Sequence, residues 1–223
     1  LVNRAILAAG GPENIVCTVK EPTRETSAKM VNDPSVRMLV ATGGPGVVKM
    51  LLSSGKKAIG AGAGNPPVVV DDTADIPKAA KDIIDGCTFD NNLPCIAEKE
   101  CFVMKNVADE LIQNMLKNGA YLINAAQVKQ LEDVVLVWSK PKKEGEQPKR
   151  VIGINVGDDI RCIICETEFS QAFVQTELMM PILPIVRVDT FDEAVEMAVK
   201  AEHGNRHSAH LHSKNVDHMT QYA

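Results

Sequence analysis

The stretch Val36–Ile59, VRMLVATGGPGVVKMLLSSGKKAI, decides the fold class. Its apolar run Val36–Ala41 predicts a strand, and the glycine-rich turn Thr42–Gly46 follows directly. Val47–Leu52 then has helical spacing, and Lys57–Ile59 predicts a second strand. Two strands joined through a helix by short turns form a βαβ unit, whose strands are parallel. The stretch therefore predicts an α/β protein with a parallel sheet.

The rest of the chain continues this alternation. Ile15–Val19 predicts a short buried strand, and Thr23–Val31 predicts a helix. The other predicted elements are the strands Pro67–Val70, Arg161–Glu166 and Ile182–Val188 and the helices Ile76–Cys87, Val107–Lys117, Asn124–Leu131 and Phe191–Glu202. The terminal stretches Leu1–Leu7 and Val216–Ala223 have the pattern of interrupted helices, so we expect both ends to be cuts in a longer protein.

Local signals fix several boundaries. Asp75 is expected to cap the helix that follows it, and Thr190 is expected to form a capping box with Glu193. The sharpest break in composition, Ala61–Pro67 (AGAGNPP), predicts a domain boundary. Ser139–Arg150 is rich in Lys, Pro and Gly and predicts an exposed loop.

Composition excludes several classes of function. The 223 residues are 45% hydrophobic and 24% charged, which suits one large or two small α/β domains. The net charge of -5 argues against a nucleic-acid partner. No apolar run approaches the roughly 20 residues that span a bilayer. Six cysteines without regular spacing fit a reducing cytosol better than a disulfide framework.

One cysteine has the setting of a nucleophile. Cys95 lies in the polar stretch Phe89–Glu100, FDNNLPCIAEKE, between a predicted helix and the apolar run Cys101–Met104. A thiol at such a turn is accessible, and a nearby positive potential makes it a good nucleophile for carbonyl groups. The competing interpretation is a shielded turn cysteine without a chemical role.

Two further features suggest a nucleotide site. The turn Thr42–Gly46 joins a strand to a helix, where backbone N–H groups can approach a phosphate, although it is not a full G-x-G-x-x-G motif. A plain tight turn explains it equally well. Glu177, four residues before Pro181, is either a surface acid or an acceptor for ribose hydroxyl groups.

Two other patterns invite a metal interpretation that we do not favour. Cys162 and Cys165 have the C-x-x-C spacing, but the apolar residues around them predict a buried strand, and the chain has no second such pair for zinc. All five histidines fall within residues 203–218, where no carboxylate or cysteine has a matching register. We expect a solvated or interface histidine cluster and no metal site.

Together these residues resemble the aldehyde dehydrogenase superfamily, and within it the CoA-acylating aldehyde dehydrogenases of ethanolamine and propanediol utilisation. The segments that carry the resemblance are Gly62–Ile76 (GAGNPPVVVDDTADI), Phe89–Val103 and His203–Asn215. It covers essentially the whole chain. The resemblance implies the end of a Rossmann-like NAD-binding domain over residues 1–61, followed over residues 62–223 by an α/β catalytic domain that is incomplete at its carboxyl end.

The same resemblance implies roles for individual residues. Cys95 matches the catalytic cysteine, and Glu177 matches the acid that holds the nicotinamide ribose. The remaining residues implied to bind the cofactor are Thr42, Gly43 and Gly44 at the pyrophosphate, Val47 near the adenine, and Gly62. No metal is implied.

One departure from the superfamily pattern is informative. Ala61 stands where hydrolytic aldehyde dehydrogenases carry the glutamate that activates water. Alanine cannot accept a proton, whereas a thiol acceptor needs less help because it is more acidic than water. The resemblance names that acceptor as coenzyme A.

The predicted function is therefore the reversible, NAD-dependent oxidation of acetaldehyde or propionaldehyde to the acyl-CoA through a thioester on Cys95. The alternatives are a hydrolytic aldehyde dehydrogenase and a non-catalytic scaffold with the same fold. The resemblance also implies a homo-oligomer, dimeric or tetrameric, in the cytoplasm and within a bacterial microcompartment shell, with no nucleic-acid or membrane partner.

Overall fold

The computed structural model describes residues 1–136 and 156–223 and divides into two compact units, Leu1–Gly62 and Ala63–Ala223. The predicted exposed loop Ser139–Arg150 lies outside the described residues. Each unit has a sheet in which every strand pair is parallel, so the predicted α/β class is confirmed.

The first unit is built on the predicted βαβ unit. Its elements are α1 (Val2–Ala8), α2 (Arg24–Asn32), β1 (Met38–Thr42), α3 (Pro45–Leu52) and β2 (Lys57–Ala61). Strands β1 and β2 pair in parallel, with Thr42 opposite Ala61 at their carboxyl ends. The buried core of this unit is small and consists of Val31, Leu39 and Leu51.

The predicted strand Ile15–Val19 is wrong. This segment has no regular secondary structure, and the side chains of Ile15 and Val16 are 56% and 49% exposed. Its backbone is held by the Asn3 side chain, which donates to the Val16 carbonyl at 2.7 Å and accepts from the Val16 N–H at 3.0 Å. A short apolar run becomes a strand only when a neighbouring strand pairs with it, and β1 pairs with β2 instead.

The second unit alternates strands and helices along its whole described length. Its elements are β3 (Pro67–Val70), α4 (Ile76–Thr88), β4 (Glu100–Met104), α5 (Lys105–Lys117), β5 (Ala120–Ile123), α6 (Ala125–Val135), β6 (Cys162–Glu166), α7 (Ala172–Gln175), β7 (Ile182–Val188), α8 (Phe191–Ala201), β8 (His210–His212) and α9 (Val216–Tyr222). The strands form one sheet in the order β5-β6-β7-β4-β3-β8.

Both faces of this sheet are buried, as is usual for parallel sheets. Because side chains alternate along a strand, Cys101 and Val103 of β4 face the core under α4 and α5. Phe102 faces the opposite core under α8, together with Val69 of β3. The predicted buried strand cysteine Cys162 on β6 is confirmed, as is its neighbour in the motif, Cys165.

The capping predictions hold in one case and need correction in the other. The Asp75 carboxylate accepts from the Lys78 N–H at 3.2 Å, as predicted. Thr190 accepts from the Glu193 N–H at 3.2 Å, but the Glu193 carboxylate accepts from the Asp189 N–H at 2.7 Å and not from Thr190. The second hydrogen bond of a capping box, in which Glu193 would accept from the N–H of Thr190, is therefore replaced by a bond from the N–H of the preceding residue, Asp189. Across the two described ranges, no helix is both long and apolar enough to cross a membrane.

A fully buried carboxylate ties the last helix to the central sheet. Asp71 directly follows β3 and accepts from the Thr73 N–H at 2.8 Å and hydroxyl at 2.6 Å, from the Ser213 hydroxyl, and from His218 Nδ1 at 2.7 Å. Burial opposes ionisation, but these hydrogen bonds outweigh it and lower the pKa of Asp71. His218, on α9, also stacks on Phe191 with ring centroids 3.9 Å apart.

Replacing Asp71 should destabilise the protein strongly. Asp71→Ala leaves several partly buried donors without an acceptor, so we expect a loss of about 3 kcal/mol in the free energy of unfolding. Because the pKa of Asp71 is lowered on folding, its contribution is present above the ordinary value of 3.8 and is lost as pH falls through the folded pKa. Urea unfolding measures both effects. The neighbouring exposed residue supplies the control, since Asp72→Ala should change the free energy by less than about 0.5 kcal/mol.

Candidate active site

Cys95 lies in the turn between α4 and β4, as predicted, and is partly exposed. The turn begins with three consecutive residues in the left-handed region, Asp90, Asn91 and Asn92, with φ of 46°, 54° and 61°. Asp and Asn tolerate this conformation better than other non-glycine residues. The chain can therefore reverse sharply after α4 and present the thiol at the amino-terminal end of β4.

The other described cysteines of the second unit are poor candidates for a nucleophile. Cys87, Cys101, Cys162 and Cys165 are all buried. Burial raises the pKa of Cys101 and raises the pKa of Cys165 to about 12, so both thiols stay protonated at neutral pH. Among the described residues of this unit, Cys95 alone has an accessible thiol.

Cys95 and Glu177 meet at a single glycine. The Gly64 N–H donates to Glu177 Oε1 at 3.1 Å, and a Cβ at Gly64 would lie 2.6 Å from the Cys95 carbonyl oxygen. The Gly64 carbonyl accepts from Asn205 Nδ2 at 3.0 Å, and the His207 ring would lie 3.4 Å from the same Cβ. The structure thus brings together two site residues that the sequence predicted separately, and it adds the histidine segment to them.

The side chain of the next residue, Asn65, anchors the segment that carries Gly64. This residue is buried, and its side-chain amide donates to the Val174 carbonyl at 3.1 Å and to the Ala201 carbonyl at 2.8 Å. These acceptors belong to α7 and to the end of α8. Gly64 is therefore fixed to two helices of the second unit. It also contacts the turn between α4 and β4 that carries Cys95 (the nucleophile turn).

The predicted pyrophosphate turn lies in the first unit and has an open backbone. Thr42 ends β1, and the Gly43 N–H donates to the Ala61 carbonyl at 3.0 Å. Gly44 directly precedes α3, and a Cβ there would meet no atom within 4 Å. Val47, in the first turn of α3, is 44% exposed. The start of the helix is therefore open to a ligand, and its role as the pyrophosphate turn stays a prediction.

The remaining predicted cofactor residue, Gly62, is half-buried and follows β2 directly. A Cβ at Gly62 would lie 4.0 Å from Val48 of α3, which is ordinary contact, whereas one at Gly60 would lie 2.8 Å from the same side chain. Close packing of β2 against α3 therefore requires a glycine at position 60. Ala61 occupies the last position of β2, and its methyl group has no acid–base chemistry.

Three consecutive charged residues, which run from the turn after Cys95 into the start of β4, are buried, and sequence reasoning missed this. Glu98, Lys99 and Glu100 are 7%, 3% and 0% exposed. Burial raises the pKa of both carboxyl groups and lowers the pKa of Lys99. His210 of β8 contacts the segment, with Nε2 at 2.9 Å from the Ile96 carbonyl and Nδ1 at 3.9 Å from Glu98 Oε1.

The histidines do not act as one group in the described structure. His203 Nε2 lies 3.0 Å from the Gln175 carbonyl, and His218 contacts Asp71. His210 and His212 lie on β8, and burial lowers the pKa of His212. Within the parts of the chain that are described, no group of three His, Cys, Asp or Glu side chains is arranged to hold a metal ion.

A cavity of the second unit lies away from Cys95. It has a volume of about 620 Å³ and is lined by Lys105, Glu166 and Arg187, among others. Lys105 and Glu166 mark the carboxyl ends of β4 and β6, whereas Cys95 precedes the amino end of β4. The cavity therefore lies at the carboxyl ends of the strands and Cys95 at their amino ends, so the cavity is not part of the candidate site.

Comparison with known proteins assigns the family. The model of the aldehyde dehydrogenase family matches residues 1–136, which include the glycine turn and Cys95. The chain belongs to the aldehyde dehydrogenase family. The sequence resemblance is thereby confirmed, and the family's Rossmann-like architecture agrees with the parallel sheets described above.

Within this family, several of the similar proteins are named as acylating enzymes. The chain is 43% identical over 235 residues to the acetaldehyde dehydrogenase (acetylating) EutE of Salmonella typhimurium, covering 100% of the chain and 50% of that protein. It is 45% identical over 215 residues to the propanal dehydrogenase (CoA-propanoylating) of Citrobacter freundii, covering 94% of the chain and 47% of that protein. The chain spans about half the length of the curated relatives it matches.

Solved structures of family members are also similar to this chain in sequence and in fold. A propionaldehyde dehydrogenase from the Clostridium phytofermentans fucose utilisation bacterial microcompartment is 54% identical, with a TM-score of 0.91 over 100% of this chain and 52% of that one. A Rhodopseudomonas palustris propionaldehyde dehydrogenase, solved with bound CoA and an acylated cysteine, is 52% identical with a TM-score of 0.90, covering 100% of this chain and 52% of that one.

Adding one methyl group at the Gly64 contact should disable the candidate site. Gly64→Ala places a Cβ 2.6 Å from the Cys95 carbonyl oxygen, so the nucleophile turn must move. A displacement of about 1 Å costs on the order of 100-fold in turnover. Steady-state kinetics of the full-length protein, with thermal unfolding to show that the fold persists, provide the test. Unchanged turnover would mean that the turn adapts and that the contact is not critical.

Glu100 should make stability depend on pH in the opposite sense to Asp71. Both of its carboxylate oxygens are buried without a hydrogen-bond partner in the described residues, and burial raises its pKa well above 4.5. The folded state then keeps a proton that the unfolded state loses, so stability falls by about 1.4 kcal/mol per pH unit as pH rises from 4.5 toward the folded pKa. Glu100→Gln should flatten this slope in urea unfolding between pH 5 and 8.

The exposed Glu110 on α5 provides the matched control for that measurement. Glu110→Gln should keep the slope of the unsubstituted protein. If Glu100→Gln also kept the slope of stability against pH, Glu100 would be ionised in the folded protein.

Proposed function

We propose that the full-length protein oxidises a short-chain aldehyde, acetaldehyde or propionaldehyde, to its acyl-CoA with NAD as the acceptor. The observation that carries this proposal is that the backbone carbonyl of the partly exposed Cys95 and the carboxylate of Glu177 pack on the same residue, Gly64. Membership of the family and the names of the acylating relatives support it. Hydrolysis and a purely structural role are the outcomes that the experiment below must exclude.

Cys95 supplies the covalent step. Its thiolate attacks the aldehyde carbon, and the carbonyl oxygen takes the negative charge, giving a thiohemiacetal. Backbone N–H groups near Cys95 would stabilise this charge. The hydrogen on that carbon leaves as hydride, the C–O bond becomes a carbonyl again, and a thioester remains on Cys95. The thiolate of CoA then attacks the thioester carbon and expels the Cys95 thiolate, which restores the free enzyme.

The residues present fit a dinucleotide. NAD supplies the hydride acceptor. Gly44 leaves the backbone before α3 uncovered, as a pyrophosphate requires. Glu177 uses one oxygen for the Gly64 N–H, and a carboxylate has a second oxygen that can accept from ribose hydroxyl groups. In this role Glu177 couples the position of the ribose to the segment that contacts Cys95.

Ala61 sets the acyl acceptor. A hydrolytic enzyme needs a base to take a proton from water, and the methyl group of Ala61 cannot do so. CoA needs no such base, since a thiol is partly ionised near neutral pH. The thioester on Cys95 is therefore passed to CoA faster than it is hydrolysed.

We also propose that the protein works as a homo-oligomer, dimeric or tetrameric, in the cytoplasm and inside a bacterial microcompartment. The support for the location is that a similar enzyme comes from a fucose utilisation microcompartment, and the oligomeric state is an expectation from the sequence resemblance. Sedimentation of the full-length protein gives the oligomeric state, and its retention in purified shells tests the location.

The central experiment follows NADH formation by the full-length protein with propionaldehyde, with and without CoA. We expect turnover to require CoA and Cys95→Ser to lower it by at least about 1,000-fold, because an alcohol is a far weaker nucleophile at neutral pH. Cys17→Ser, at the exposed cysteine of the first unit, is the control and should keep full activity.

Each other result has a defined meaning. Equal rates without CoA would identify water as the acceptor and would require a base other than residue 61. Absence of NADH formation with several short aldehydes would favour the scaffold interpretation. Normal turnover by Cys95→Ser would show that Cys95 is not the nucleophile.

A further inference from the structure

The Lys99 ammonium is buried directly under the nucleophile turn. Lys99 is 3% exposed, and its Nζ donates to the Asn92 carbonyl at 3.0 Å, to the Asn92 side-chain oxygen, and to the Pro94 carbonyl at 3.2 Å. Three acceptors match the three N–H bonds of an ammonium group, whereas a neutral amine has only two. The geometry therefore requires the charged form.

This charge is held at an energetic cost. Burial lowers the pKa of Lys99, and the negative charge of nearby groups, Glu177 first, only partly opposes that effect. In the described parts of the chain, no carboxylate oxygen forms an ion pair with Nζ within 4.0 Å. A buried cation that is satisfied only by neutral oxygens does not increase stability over an apolar side chain. Its presence beside a reactive thiol indicates a role other than stability.

The Asn92 side chain links the Lys99 ammonium to the end of helix α4 by hydrogen bonds. Its side-chain amide is fully buried and donates to the Cys87 carbonyl at 2.7 Å and to the Glu98 carbonyl at 3.0 Å. The Cys87 carbonyl belongs to the last turn of α4, where carbonyls lack partners within the helix. One amide thus closes the helix end, while its oxygen accepts from Lys99.

The same contacts also limit where Cys95 can go. Lys99 is itself fixed, because its N–H donates to the Pro66 carbonyl at 3.0 Å and the next residue begins β4. From this fixed point the ammonium holds the carbonyl of Pro94, whose next neighbour is Cys95. On the other side, the Cys95 carbonyl abuts Gly64. The nucleophile is confined between these two contacts.

The positive charge of Lys99 also acts on the carboxyl end of α4. Carbonyl groups at the carboxyl end of a helix carry a partial negative charge of about half an electron. A cation at the same place offsets it.

We propose that Lys99 is a positioning residue for the reaction: its buried ammonium, acting through Asn92 and the Pro94 carbonyl, holds the turn that presents Cys95. This inference rests on the proposed role of Cys95 as nucleophile. Lys99 does not touch the substrate and works only through the turn.

The test measures the chemistry of Cys95 without substrate. In the full-length protein, the rate constant for alkylation of Cys95 by iodoacetamide is measured by mass spectrometry of the peptide that contains it, per folded molecule. Lys99→Met keeps the length of the side chain but removes its donors and charge. We expect alkylation to slow by about 10-fold or more and kcat to fall by a similar factor, with KM for NAD changed by less than about twofold.

Controls and a second variant make the test specific. Lys78→Met changes an exposed lysine on α4 and should leave both rates unchanged. Asn92→Gly preserves the left-handed backbone but deletes the amide, so it should also slow alkylation. If Lys99 acts through Asn92, the double variant should be about as slow as the slower single variant, and not slower by the product of the two effects.

The outcomes separate this inference from the proposed function. Alkylation at the unsubstituted rate in Lys99→Met, or in Asn92→Gly should Lys99→Met not fold, would overturn the positioning role. Multiplicative effects in the double variant would also overturn it. An unreactive Cys95 in the unsubstituted protein would instead refute the proposed function, whatever the variants show.

Discussion

The contact between Gly64 and the Cys95 carbonyl is the constraint on which the candidate site depends. The two backbones approach so closely that no side chain fits between them. Parallel pairing of β3 with β4 sets this approach, because each strand is preceded by one of the two segments. Asn65 then fixes the Gly64 side to α7 and α8. The position of the thiol is thus a property of the sheet and not of a flexible loop.

Much of this arrangement could be predicted from local sequence. The β1–α3–β2 unit followed from alternating apolar runs and a glycine turn, and Asp75 marked the start of α4. Cys95 was recognised as an accessible thiol because it follows a proline in a polar turn. Such signals work because short-range geometry alone determines them.

The errors and omissions have a common physical origin. Ile15–Val19 has strand composition, but pairing depends on a neighbour that the segment does not specify. Glu98, Lys99 and Glu100 look like a solvated surface segment, yet the sheet and helices cover all three. Their burial is set by strands and helices that are distant in sequence, β8 and α9 among them. The junction at Gly64 likewise joins residues that no local pattern connects.

The strand order has a consequence for how the protein is made. Strand β3 lies between β4 and β8, and its partner β8 is synthesised about 140 residues later, a separation that slows native pairing. Until residues 210–212 leave the ribosome, one edge of the apolar strand Val68–Val70 has no native neighbour. Unpaired apolar edges are sites of aggregation. The nascent second unit therefore exposes an apolar edge next to the segment that will contact Cys95, and a chaperone that covers the β3 edge would protect that contact.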